Sequence, residues 1–259
     1  MSFWMRRLRA ALPWLIVALL ANLVLLLVMA PAAWVTPQFS KATQGHVNLV
    51  EPSGSLWHGS ASLMLAAGPG GEAATLLPGR IEWRTSFWPL FTGRVHMQMR
   101  QSEAMPDPVA VDATLRTATL SGGSIAVPAS LLAGLGAPFN TLDLQGDVRL
   151  TWTDWRTFNR QAFGQLIVTL NDMSSRISRV KPLGSYRVVF QAQGGSGTID
   201  LTTVKGPLML NGQGTVSEAS TSFTGVASAA PDALDNLAGL LNLLGRRVGP
   251  GQVALSFAH

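Results

Sequence analysis

Side chains able to perform acid–base or metal chemistry are few and widely spaced in this chain. The histidines are His46, His58, His96 and His259, and none has a second ligand at the helical or hairpin spacing that builds a metal site. His96 lies on the polar side of an alternating segment, where catalysis would need a partner within hydrogen-bond reach. We therefore interpret the histidines as solvated or structural, and we predict no metal site.

The segment Ser-Gly-Ser-Leu-Trp-His-Gly, residues 53–59, contains the residue types of a nucleophilic site. It lacks the Gly-x-Ser-x-Gly elbow and an acidic residue in an orienting role, so a turn at a strand edge is the better interpretation. The glycine-rich stretches 68–71 and 194–197 lack the Lys-Ser/Thr that follows a phosphate-binding loop. We expect no catalytic residue, no cofactor and no enzymatic activity.

Composition excludes further classes of function. The 259 residues contain no cysteine, so disulfides and thiol chemistry are absent, while the length suffices to bury a core. The formal charge of +5 falls close to neutral when three arginines near the N-terminus are set aside, because 16 basic and 14 acidic residues remain. No dense basic patch is left, and nucleic-acid binding is not predicted.

One uncharged segment accounts for much of the 47% hydrophobic content. Residues 11–30 supply the roughly 20 apolar residues that a helix needs to cross a bilayer. The leader 1–10 carries Arg6, Arg7 and Arg9 without an acidic residue, so the positive-inside rule places the leader in the cytoplasm and the body outside. The predicted membrane anchor is centred on Leu15, Leu19, Leu20, Leu23 and Leu26.

A cleaved signal peptide is the main alternative for this segment, because Ala30-Pro31-Ala32 loosely resembles a cleavage site. The apolar run is longer than the core of a signal peptide, which has about 7 to 15 residues, and Pro31 lies within the would-be site. We therefore favour a retained, single-pass transmembrane helix.

The remaining chain divides into a juxtamembrane connector, residues 31–45, and a β-rich body, residues 46–259. In the connector, Thr36 and Pro37 have the types preferred at the N-cap and the first position of a helix, which predicts a short helix or turn. In the body, short segments of alternating polarity are separated by Gly, Pro, Asn and Ser.

The alternation predicts an all-β fold, mainly antiparallel, built as an elongated twisted sheet or an open barrel. Gly194 and Gly195 fall between two alternating runs and predict a hairpin. The predicted strands are 47–50, 60–66, 79–83, 93–100, 112–121, 142–151, 165–170, 186–193, 197–203, 207–216, 222–228 and 252–257.

Residues 231–244 predict a short C-terminal amphipathic helix, with leucines at three-and-four spacing, aspartates in its first turn and Gly245 after its end. A weaker short helix is predicted at 128–135. An amphipathic leucine stripe usually packs inward, so we favour a core role for the C-terminal helix over a partner surface. The residues of that possible interface are Leu234, Leu237, Leu241, Leu244, Arg246 and Arg247.

The sequence also contains an internal echo. Residues 77–83 followed by 93–95 resemble residues 144–150 followed by 164–166, and each copy is accompanied by tryptophans. We interpret the echo as a duplicated two-strand unit within a longer sheet.

Several segments, in order along nearly the whole chain, resemble the type II secretion system protein N family, also called general secretion pathway protein N. They are the arginine leader with its apolar span, Pro-Ala-Ala-Trp at 31–34, Glu-Pro-Ser-Gly-Ser-Leu-Trp-His-Gly-Ser-Ala at 51–61, Leu-Pro-Gly-Arg-Ile-Glu-Trp at 77–83, and Phe-Thr-Gly-Val-Ala at 223–227 with the leucine-rich helix.

The resemblance implies a single-pass inner-membrane protein of Gram-negative bacteria with a periplasmic β domain, associated with the apparatus that exports folded proteins through the outer membrane. It implies other secretion-system subunits as partners and no catalytic residues. A periplasmic lipid carrier is the main alternative, because a long sheet with one apolar face can form a groove for acyl chains, and lipid is therefore a possible partner. A free periplasmic enzyme is the less favoured alternative, since the residues supply no activated nucleophile or base.

Overall fold

The body is dominated by one continuous antiparallel sheet of seventeen strands in a computed structural model. The structure describes residues 14, 17–19, 21–22, 24–25, 28–66, 74–135, 139–159, 161–217 and 220–258. Among these residues, the first strand pairs only with the second, and the sixteenth only with the seventeenth, so the sheet is open. The predicted all-β, mainly antiparallel class is confirmed, with an open sheet as its architecture.

The strands follow the alternating segments of the sequence, and most extend a few residues beyond the predicted bounds. Their bounds are β1 Val47–Gly54, β2 His58–Ala66, β3 Ala74–Leu76, β4 Ile81–Ser86, β5 Val95–Gln101, β6 Val109–Ala113, β7 Thr117–Leu120, β8 Gly123–Pro128, β9 Leu144–Trp152, β10 Trp155–Phe158, β11 Gln161–Ser175, β12 Gly184–Gly194, β13 Ser196–Lys205, β14 Leu208–Ser217, β15 Thr221–Ala229, β16 Arg246–Gly249 and β17 Gln252–Ala258.

The sheet is largely a meander in which each strand pairs with its neighbour in sequence. At three positions in the sheet, two short strands lie end to end where a single long strand would otherwise run. β3 and β4 share one side of β2, β7 and β8 pair with β10 and β9 respectively, and β9 and β10 lie end to end along β11. β11 can therefore run for fifteen residues opposite two shorter strands.

The predicted strand at 112–121 is wrong, because a turn divides it. β6 ends at Ala113 and β7 begins at Thr117, and the two strands pair with each other. The Thr114 hydroxyl accepts hydrogen bonds from the backbone N–H groups of Arg116 and Thr117 at 3.3 and 3.1 Å. Thr and Arg do not signal a turn as Gly or Pro would, and Leu115 continues the apolar alternation through it.

The C-terminal ends of β1, β4, β6, β10, β12 and β14 all lie at one end of the sheet, because the strands alternate in direction. We call this end, where the strands turn, the tip edge. The chain reaches the sheet at this edge. The Leu56 N–H donates to the carbonyl of Ala30 at 2.8 Å, and Pro31 forms a β-bridge with Ser55.

The connector begins its helix earlier than predicted. A 3₁₀ helix, Ala32–Trp34, leads into α1, Val35–Ala42, so Thr36 and Pro37 lie inside the first turn rather than at its start. The Thr36 hydroxyl donates to the carbonyl of Ala33 at 3.0 Å instead of capping the helix. Pro37 is tolerated because backbone N–H groups of the first turn have no intrahelical acceptor.

The other helices connect strands. A 3₁₀ helix, Trp88–Thr92, lies between β4 and β5. The predicted short helix near 128–135 is the 3₁₀ helix Ala129–Leu135, and it is followed by α2, Phe139–Leu142. The predicted C-terminal helix is confirmed as a 3₁₀ turn, Pro231–Ala233, continuing into α3, Leu234–Leu244.

The larger hydrophobic core lies between α3 and the half of the sheet away from the tip edge. Its buried side chains include Val148, Met173, Leu208, Leu237 and Val253. A smaller core forms around Trp83, Ala61 and Ala32, with Met97 and Met99 of β5 packed against it. The connector therefore contributes to the body, since Ala32 is almost fully buried there.

The two copies of the internal echo place a tryptophan over a glycine in the same way. Trp83 pairs with Gly59 across β2 and β4, and Trp152 pairs with Gly123 across β8 and β9. The indole N–H groups donate to the carbonyls of Leu56 and Ser121, at 3.2 and 2.9 Å. The echo therefore includes a third strand that sequence comparison did not reveal.

The described residues before position 28 are helical and exposed, Leu19 among them. Leu15, Leu20, Leu23 and Leu26 of the predicted anchor lie outside the described residues. In the part of the chain that the structure describes, no helix combines the length and the apolar character needed to cross a membrane.

Candidate interaction sites

The leucine stripe of α3 faces the sheet. Leu237 has 0% of its surface exposed, and Leu241 is also buried. Leu234 and Leu244 are partly buried and pack against the same core. Among the leucines of α3, only Leu243, which the stripe does not include, is strongly exposed, at 57%. The four predicted leucines thus contact this chain's own core, and a role for them in binding a partner stays a prediction.

The end of α3 differs from a left-handed glycine cap. Gly245 has φ of 177°, which is extended backbone, and a side chain there would collide with the carbonyl of Ala254. Glycine is needed for this close approach to β17. Arg246 and Arg247 then begin β16, and the Arg247 Nε donates to the side-chain oxygen of Asn242 at 3.0 Å rather than to a terminal carbonyl.

A groove of about 540 Å³ runs beside the exposed side of α3. Its lining mixes apolar and polar groups, with Leu240, Leu243 and Ile177 next to Asp235 and Arg179. The groove is open to solvent and brings no set of reactive groups together. Its composition suits contact with another polypeptide better than tight binding of a small molecule.

One histidine has a partner that the sequence did not reveal. His96 Nδ1 lies 2.7 Å from a carboxylate oxygen of Asp112, because the two residues are directly paired across β5 and β6. Cross-strand register, which spacing along the chain does not show, creates this pair. Within the described ranges, no group of three or more His, Asp or Glu side chains is arranged to hold a metal ion.

Two further titratable groups hold strands together away from the tip edge. The Lys205 ammonium lies 2.7 Å from Asp172, and this hydrogen bond and charge lower the pKa of that exposed carboxyl. Tyr186 is buried and its hydroxyl donates to the carbonyl of Leu208 at 3.0 Å. Burial raises the pKa of Tyr186. Each contact links two strands that flank a third, β11 to β13 and β12 to β14, and both contacts are structural.

An aromatic cluster lies at the tip edge. Phe87 contacts Trp57 edge to face with ring centroids 5.1 Å apart, and it also contacts Phe91 at 5.3 Å. Trp88 lies 5.9 Å from Phe91, and both are strongly exposed. Sequence reasoning did not select these residues, although the run Phe-Trp-Pro-Leu-Phe at 87–91 is visible in the sequence.

Comparison with known proteins supports the resemblance noted in the sequence. The family model of type II secretion system protein N matches residues 45–256, which cover nearly the whole β-rich body. No curated protein and no solved structure matches the chain. Because the match extends over far more than half of the chain, this protein belongs to the type II secretion system protein N family.

Proposed function

We propose that this component of the type II secretion system is a non-catalytic, structural subunit held in the inner membrane, with its β-rich body in the periplasm. The observation that carries the proposal is the family match over residues 45–256. The open sheet supports a structural role, because its two terminal strands and its exposed helix face offer surfaces for other subunits.

The anchor proposal rests on the apolar segment 11–30 and its arginine leader. The segment would be followed directly by a rigid junction. The carbonyl of Ala30 accepts a hydrogen bond from the Leu56 N–H, and Pro31 forms a β-bridge with Ser55. Such a junction leaves little flexible linker between bilayer and sheet. The subunit would therefore hold its partners at a fixed height above the membrane.

The partner surface that we propose is the outer side of α3 together with β16. Leu243 and Ile177 are exposed there, and Arg246 and Arg247 lie on a strand that, in the described part of the chain, pairs on one side only. The buried leucines of α3 would act indirectly, by fixing the helix to the sheet.

Site-specific crosslinking in native membranes tests this function. The chain has no cysteine, so a photoreactive thiol reagent can be placed on Leu243→Cys, with Thr198→Cys on the exposed face of β13 as the matched control. Mass spectrometry should identify other secretion-system subunits for the first position and few or none for the control. Equal labelling patterns at both positions, or no secretion subunit at either, would contradict the proposed surface. Recovery of phospholipid with the purified body instead would support the lipid-carrier alternative.

A further inference from the structure

We propose that three neighbouring hairpin tips of the tip edge form a surface that docks onto an anionic phospholipid bilayer. The tips are the turn between β4 and β5, the turn between β6 and β7, and the end of β10 at Phe158 and Asn159. The proposal deepens the proposed membrane placement of this subunit and rests on it for the choice of a bilayer as occupant.

The three tips are structurally continuous. Val95, which follows the first tip, pairs with Ala113, which precedes the second. A hydrogen bond joins the second and third tips, because the Asn159 N–H donates to the carbonyl of Arg116 at 3.3 Å. With strands about 4.8 Å apart, the row from first to third tip is roughly 20 Å long.

Each tip exposes large apolar side chains. In the first tip, Trp88 and Phe91 are 80% and 71% exposed. In the second, Leu115 is fully exposed, and Phe158 is half exposed at the start of the third. A single exposed leucine needs no explanation, but a row of aromatic and aliphatic side chains on adjacent turns is a candidate binding surface. The contacts of Phe87 with Trp57 and Phe91 hold the first tip rigid.

The charges of the tips suit a negatively charged surface. Arg94 and Arg116 belong to the first and second tips, both are exposed, and neither forms an ion pair within the described part of the chain. Residues 83–95 contain no acidic residue. The neighbouring carboxylate of Asp112 lies 2.7 Å from His96 Nδ1, within hydrogen-bond distance. Arginine beside exposed Trp, Phe and Leu is the composition of interfacial membrane-binding segments.

The tips lie at the same edge as the entry of the chain. Ala30, the last residue of the apolar segment, is hydrogen-bonded to Leu56. Trp57, which follows Leu56, contacts Phe87 of the first tip. A bilayer that holds residues 11–30 would therefore lie beside the tips. This position selects a bilayer rather than a distant partner as the occupant.

Full-length protein reconstituted in vesicles tests the proposal. Because the chain has no cysteine, a polarity-sensitive fluorophore is attached to Thr92→Cys in the first tip, with Val204→Cys at the opposite edge as control. In vesicles of phosphatidylethanolamine and phosphatidylglycerol, the Thr92 probe should shift to the blue and be quenched by a lipid-borne quencher. The Val204 probe should show neither effect.

Two sets of variants separate apolar docking from a general loss of structure. Serine at Trp88, Phe91 and Leu115 should abolish the quenching. A matched set with serine at the exposed residues Leu76, Val204 and Val226, far from the tips, should retain it. Replacing either Arg94 or Arg116 by serine should lower the ratio of docked to undocked tip by about fivefold in anionic vesicles. Circular dichroism of each variant checks that the sheet is intact.

A Thr92 probe that stays in water in anionic vesicles overturns the docking surface. So does protection of the tip in native membranes but not in pure lipid vesicles, which would assign the tips to a protein partner. Extraction at high pH tests the anchor separately. If the chain does not stay in the vesicles, anchoring fails, and the labelled protein mixed with the same vesicles still tests the tips by quenching.

Discussion

Replacing Leu237 by alanine tests the packing of α3 most directly. The side chain has no exposed surface and belongs to the larger core, on the face of α3 that packs against the sheet. The change removes three carbon atoms, which corresponds to about 2.4 kcal/mol of lost transfer free energy at ~0.8 kcal/mol each. A residual cavity adds to this cost, so we expect a loss of about 3 to 4 kcal/mol in the free energy of unfolding.

A loss of this size should lower the melting temperature by roughly 6 to 16 °C for a body of this length. The assay is thermal unfolding of the full chain in mild detergent, followed by circular dichroism. The matched control is Leu243→Ala on the same helix, where 57% of the side chain is exposed and the cost should stay below about 1 kcal/mol.

The outcome also decides between the two roles weighed for the leucine stripe. If Leu237→Ala melts like Leu243→Ala while crosslinking to other secretion subunits is lost, the stripe is a partner surface and the inward packing is wrong. A large drop in melting temperature, with crosslinking retained below the melt, supports the core role.

Three other predictions concern contacts within the sheet. Gly123→Ala would place a methyl group 2.8 Å from a ring carbon of Trp152 and should cost about 1 to 3 kcal/mol, whereas Gly195→Ala, with nothing within 4 Å, should leave the melting temperature nearly unchanged. Tyr186 is the only tyrosine, so ultraviolet difference spectra report it alone; since burial raises its pKa, phenolate should appear only on unfolding, and the stability that depends on the neutral hydroxyl is full below about pH 10 and is lost above it. Because Lys205 lowers the pKa of Asp172 below its ordinary value of 3.8, Lys205→Met should reduce stability at neutral pH, and the difference from the parent protein should vanish as the pH falls through the lowered pKa; parallel acid-unfolding curves would contradict this.

Local patterns predicted the elements whose signals are contained in a few neighbouring residues. The hairpin at Gly194 and Gly195 joins β12 and β13 as expected, with Gln193 paired to Ser196. The helix at 231–244 is present because its leucine spacing and its aspartates agree with its packing. Local propensity and tertiary burial favour the same structure at these positions.

The predictions made from the sequence were wrong or incomplete where tertiary contacts override or add to the local pattern. Leu115 extends an apolar alternation, yet it lies at the apex of a turn that Thr114 stabilises. The short strands β3, β8, β10 and β16 were not predicted, because each continues a neighbouring strand or pairs at an edge. The pair His96 and Asp112 depends on cross-strand register, and so does the position of Trp152 over Gly123. Register is set by non-local pairing, so spacing along the chain does not contain it.

The meander also determines how the chain can fold. Within the described ranges, no pair of strand residues lies farther apart in sequence than Thr117 and Phe158, so each new strand needs only a modest loop closure to add to the growing sheet. Because each strand pairs with partners nearby in sequence, the chain can add its strands one at a time, in the order of their synthesis. The exception is the final step. The core around Leu237 needs both α3 and Val253 of β17, so it is completed only when β17 has been made.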